Sequence, residues 1–75
     1  MASEFERELA HRIGEDRATA IARELGSELL SNPLLQRGAA DAAEAAATIA
    51  RFRGPSASPH EIAAEFVDRL SRQLG

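Results

Sequence analysis

Apolar residues recur three and four positions apart along almost the whole chain, and that period constrains the backbone more than any other feature. Phe5, Leu9 and Ile13 step by four. Ala18, Ile21, Ala22, Leu25 and Leu29 follow the i, i+3, i+4, i+7, i+11 series. Ile62, Ala63, Phe66, Val67, Leu70 and Leu74 form a wide face on the last segment. In a coil of about 3.6 residues per turn such spacings stack on one stripe. No stretch reads as a strand candidate, and no internal repeat is found. The expected fold is all-α: a small bundle of about four short helices, up-down or orthogonal, in a single domain over 1–75.

Local signals place the helix ends. Ser3 with Glu6 has the spacing of a capping box, in which each residue satisfies a free backbone N–H of the other's turn. Gly14 can close the first helix by taking a positive φ, and Asp16 can cap the next. Residues 3–31 are then either two helices or one bent at Gly14; the Gly14-Glu15-Asp16 run favours the break. Asn32-Pro33 ends one helix, because the residue before proline is pushed out of the α region. The same pair can start another, with asparagine as cap and proline in the first position. Ser58-Pro59-His60-Glu61 repeats that signal at the end of the loop Gly54–Pro59. The expected helices are about 3–13, 16–31, 33–53 (with Gly38 as an alternative break) and 59–73.

Seventy-five residues allow one small core. Sixteen large apolar residues face sixteen alanines, so many contacts are small. The third segment is the extreme case. Its expected inward face is Ala42, Ala45, Ala46, Ile49 and Phe52; a facing helix must supply bulk there, or a groove stays open. Cysteine is absent, which removes disulfides and thiolate metal sites. The apolar stretches are too short to span a bilayer. Glu4 and Glu6 stand where a signal peptide would be basic and then apolar. A cytoplasmic protein with no membrane contact is expected. All nine basic residues are arginine, and the net charge is −3. That usage points to a high-GC bacterial or phage genome, and the acidic total disfavours a general phosphate-binding surface.

The stretch from Glu8 to Leu25 resembles the helix-turn-helix of bacterial regulators at Leu9, Ala10, Ile13, Gly14, Arg17, Ala18, Thr19 and Arg23. The resemblance implies a small DNA-binding transcriptional regulator, with Arg17, Thr19 and Arg23 on phosphates or bases. The chain departs from the pattern where Glu15 replaces an apolar residue and only Ala20 follows Thr19. Glu15 and Asp16 would also face phosphate with negative charge. Ile13-Gly14 with Ala18 and Ile21 resembles a helix-hairpin-helix turn, but Arg12 stands at its first glycine. Leu25-Gly26-Ser27-Glu28-Leu29 resembles the prosthetic-group site of acyl carrier proteins without its aspartate.

Chemistry is sparse elsewhere. His11 has Glu8 and Glu15 at helical spacing, but no second histidine at i+4 and no HExxH, so no metal is expected. Carboxylates have local explanations: Glu6 and Glu61 in capping, Glu65 and Asp68 in i, i+4 pairs with Arg69 and Arg72. With no cleft-forming aromatics beyond phenylalanine and no long lid, no enzyme, cofactor or small-molecule substrate is expected. The surplus is apolar. Neighbours at i and i+1 cannot both point inward, so the doublets Leu29-Leu30, Leu34-Leu35 and Phe66-Val67 should leave grease outside. The expected function is a non-catalytic docking module that binds a protein partner or pairs with itself. Its expected interface is Leu30, Leu34, Leu35 and Val67, rimmed by Arg37, Arg51 and Arg53 gathered at one end of the third segment. A small phage-type inhibitor of a host protein is an alternative that the sequence does not separate from this.

Overall fold

The computed structural model describes residues 3–74; residues 1, 2 and 75 and the side chain of Leu74 lie outside that description. Six helices follow one another: α1 Glu4–Ile13, α2 Glu15–Leu25, α3 Ser27–Leu30, α4 Pro33–Arg37, α5 Ala39–Arg53 and α6 Pro59–Leu74. No strand occurs among the described residues. The fold is a small all-α bundle of 30 × 29 × 18 Å, in which α1, α2, α5 and α6 do the packing and α3 and α4 connect.

The helix starts follow the capping residues. Ser3 Oγ accepts from Glu6 N at 3.1 Å, Asn32 Oδ1 from Leu34 N at 2.9 Å, and Ser58 Oγ from Glu61 N at 3.2 Å. The reciprocal half of the first box is replaced: the Glu6 carboxylate accepts from the Thr19 hydroxyl at 3.3 Å, joining α1 to α2. Between α1 and α2 a single residue does two jobs. Gly14 donates to Ala10 O at 2.9 Å, closing α1, and its carbonyl accepts from Ala18 N at 3.1 Å, opening α2. It does so at φ +96, ψ 154, a region open essentially to glycine alone. Asp16 therefore lies in the first turn of α2 and is not its cap.

The expected helix 16–31 is corrected by a second break of the same kind. Gly26 sits at φ +87, ψ 158, donating to Ala22 O at 3.1 Å and accepting from Leu30 N at 3.2 Å. Nothing lies within 4 Å of where its Cβ would stand, so the requirement for glycine is purely one of backbone. Gly26→Ala should cost about 1–3 kcal/mol of stability. Gly38→Ala, at an ordinary φ of −109, should change it by only about 0.5 kcal/mol. Urea denaturation of the two variants checks this; equal effects would mean that the Gly26 link takes another conformation in solution.

The core joins Phe5 and Leu9 of α1, Ala18 and Ile21 of α2, Leu35 of α4, and Ile62 and Phe66 of α6 around the alanines of α5. The rings of Phe5 and Phe66 meet with centroids 5.4 Å apart and planes tilted by 33°, a separation favourable for aromatic pairs. Ala43, Ala46, Ala47 and Ala50 are all fully buried. Short side chains let α1 lie close along α5, and the bulk comes from Phe5 and Leu9 opposite.

The expected inward face of α5 is corrected by about one position. Ala39, Ala43, Ala46, Ala47, Ile49 and Ala50 face in, Ala42 is half-buried, Ala45 is exposed, and Phe52 is 88% exposed.

Candidate functional site: an apolar groove beside α5

Where α5 turns its alanines away from α1, no described residue fills the space beside them. Gly38, Ala42 and Ala45 form one wall of an open groove of about 380 Å³. Leu35 and Phe66 lie at its floor, Leu34 and Leu70 at its sides, and Asp41, Arg69 and Gln73 on its rim. The groove is thus a direct result of alanine and glycine at the positions where α4, α5 and α6 meet.

The doublets divide across this surface. Leu35 is 1% exposed, whereas Leu34 beside it is 51% exposed. The expectation of Leu35 as an exposed anchor is therefore corrected: its side chain belongs to the core and reaches the groove only as floor. Phe66 is buried and Val67 is 38% exposed, but Val67 lines a separate hollow with Glu24 and His60. Leu29 and Leu30 are partly buried against the core. Of the four aliphatic residues expected at the interface, Leu34 alone is both well exposed and on the groove.

The arginine rim does not gather. Arg37 ends α4, before α5 begins, while Arg51 and Arg53 lie in the last turn of α5. The intervening length of α5, about 20 Å at 1.5 Å per residue, separates them. Arg51 and Arg53 are also engaged inside the molecule. Arg51 Nη2 donates to Glu44 Oε2 at 2.8 Å, and Arg12 Nε donates to Glu44 Oε1 at 2.9 Å, so Glu44 ties α1 to α5. Arg53 Nε donates to Glu65 Oε1 at 2.6 Å, and Arg69 Nη2 to Glu65 Oε2 at 2.9 Å, so Glu65 ties α5 to α6. The Arg12 guanidinium, and after it Arg51, holds the Glu44 carboxyl below the ordinary glutamate range. Arg53, with Arg69, does the same to Glu65. Arg12 is raised in turn by Glu8 and then Glu44. These are surface ties, screened by solvent and individually weak.

A second, wider hollow lies over α6, between Arg53, Glu61, Glu65, Asp68, Arg69 and Arg72. Its charges alternate and pair with each other: Arg53 with Glu65 and Glu61, and Arg72 with Asp68 at 3.0 Å. Such a surface has little net field to attract an ion.

Two of the three residues expected to meet DNA are engaged within the fold. Arg17 Nη2 donates to Gly54 O at 3.3 Å, Thr19 bonds Glu6, and Arg23 is exposed late in α2. Ala18, Ile21 and Ala22 of the same helix are buried. His11 stands exposed near Arg7 and Glu15, and no cluster of three metal-ligating side chains exists among the described residues. His60 Nδ1 lies 2.9 Å from Glu24 Oε1, linking α6 to α2. No helix among the described residues is long and apolar enough to cross a membrane.

Phe52 is the feature that sequence reasoning misplaced. A signal was present: polar Asp41, Glu44 and Thr48 mark the solvent face of α5, and a step of four from Thr48 lands on Phe52. Comparison with protein-family models, curated proteins and solved structures finds no match to this chain.

Proposed function

We propose that this protein is a non-catalytic helical interaction module that receives an apolar side chain of a protein partner in the groove between α4, α5 and α6. The observation that carries the reading is the groove itself, floored by Leu35 and Phe66 and open to solvent beside the exposed Leu34. An apolar floor with a polar rim is the arrangement that lets a protein surface gain by excluding water while fixing the orientation of what binds. Leu34 is the anchor on this side, and Asp41 and Arg69 are the polar edge.

Ala45→Arg tests the reading without touching the core, since Ala45 is exposed and forms part of the groove wall. Wild-type and variant chains are immobilised and exposed to cell extract and to added soluble copies of the chain itself. Protein retained by the wild type should be lost from the variant. Retention that the arginine does not alter would overturn the reading. So would duplex DNA bound in a gel shift that weakens steeply with salt and disappears with Arg17→Ala.

A further inference from the structure

Asp41, Ala45, Thr48 and Phe52 are spaced i, i+4, i+7, i+11 and are all exposed, so they form one outward stripe on α5. The stripe carries a hole and a knob. Ala45 walls the groove, and Phe52, 88% exposed, projects seven residues further on. That is about 10 Å along the axis, or two turns. A large aromatic left this bare on a helix whose other face is fully packed has no role in the fold of the single chain.

We propose that the occupant of the groove is a second copy of this chain. The two α5 helices lie antiparallel about a twofold axis beside Thr48, and Phe52 of each copy enters the groove of the other. The inference rests on reading the groove as a docking site. The exposed face of α5 is self-complementary. In a twofold pair the same patch must serve as both donor and receiver, and here knob and hole share one face at a fixed spacing. The register that sets Phe52 on the partner's Ala45 is antiparallel and centred near position 48. A twofold axis lying in the interface, across the helices, keeps each flank of α5 against the same flank of its mate. Glu44 and Arg51 share a flank, joined at 2.8 Å. The register therefore brings Arg51 of one copy within about 3 Å, along the axis, of the level of Glu44 in the other. Opposite charges meet at both crossings and like charges at neither, which selects this orientation over a parallel one. One helix face per copy makes a small interface, at the low end of specific contacts, so a dimer with a dissociation constant of about micromolar order is expected.

Sedimentation equilibrium between about 5 and 500 µM should show a monomer–dimer equilibrium. Phe52→Asp should weaken it at least about 30-fold, the loss typical of a central anchor, with an unchanged circular-dichroism spectrum because Phe52 is 88% exposed in the single chain. Because the chain has no cysteine, Thr48→Cys supplies a single thiol beside the proposed axis. Mild oxidation should join it to its mate, since facing Cα atoms there lie within disulfide reach. Ser27→Cys, exposed on α3, should stay unlinked. A strict monomer across the whole range overturns the inference. So does a dimer indifferent to Phe52→Asp, or one in which Ser27→Cys links as readily as Thr48→Cys. If the chain is monomeric yet Ala45→Arg still abolishes capture of another protein, the docking reading stands and this inference alone falls.

Discussion

Phe66→Ala is expected to remove about 3–5 kcal/mol, a large share of the protein's stability. Phe66 is 2% exposed and is one of the two large rings in the core, packed at 5.4 Å from Phe5. The cost of truncating a buried phenylalanine comes part from lost transfer and part from the cavity left behind. A chain of this length has a total stability of about 4–11 kcal/mol. The loss is larger where neighbours cannot collapse into the space, and the alanines across α5 have no atoms to move in. Urea denaturation followed by circular dichroism should show the midpoint fall sharply. Phe52→Ala in the same assay should shift stability by only about 0.5 kcal/mol, because that ring is in water. Comparable losses for the two variants would contradict the orientation of α5. The Phe66 variant also removes one of the two residues that floor the groove, so association should weaken with it, whereas Phe52→Ala should affect association alone.

The second large effect runs the opposite way, from small to large. Ala47→Leu places three extra carbons on the interior face of α5, where Ala47 is 0% exposed. Leucine and alanine differ little in helix propensity, so the change reports packing rather than backbone. Overfilling a dense interior costs about 1–3 kcal/mol, through displaced rotamers and shifted helices. The closeness of α1 to α5 leaves no slack of that size. Ala45→Leu, two positions earlier and exposed, should be nearly neutral for folding. A stabilised Ala47→Leu would show that the space between the helices is larger than the packed alanines imply. Thermal melts of the two variants separate these outcomes directly.

The two halves of the picture differ in how far the residues alone reveal them. The starts at Ser3, Asn32 and Ser58 and the break at Gly14 were legible, because each depends on hydrogen bonds within four residues. The break at Gly26 was not, because the apolar stripe from Ala18 to Leu29 continues in phase across it. Nothing in that spacing distinguishes a glycine held at positive φ from one tolerated inside a helix. The face of α5 was misread for a different reason. Alanine fills so many of its positions that apolar residues lie all round the helix, and the period loses its phase. Phe52, the bulkiest residue there, then drew the inward assignment although the polar series through Asp41, Glu44 and Thr48 pointed the other way.

The groove was legible only as a condition, that bulk must arrive opposite the alanines of α5 or space remains. The structure answers it in both senses: Phe5 and Leu9 fill one side, and no described residue fills the side at Ala42 and Ala45. The same holds for the arginines. Their sequence places two of them at the end of a helix, but their partners Glu44 and Glu65 are chosen by how α1 and α6 lie against α5.

Helix content, the main capping residues and the surplus of apolar side chains follow from the chain read by itself, since helical period and capping are short-range chemistry. That Leu35 and not Leu34 turns inward, where Phe52 points and where the groove opens were decided by tertiary packing. The free energy of burying a side chain depends on atoms brought close from distant parts of the chain, and no local spacing encodes them.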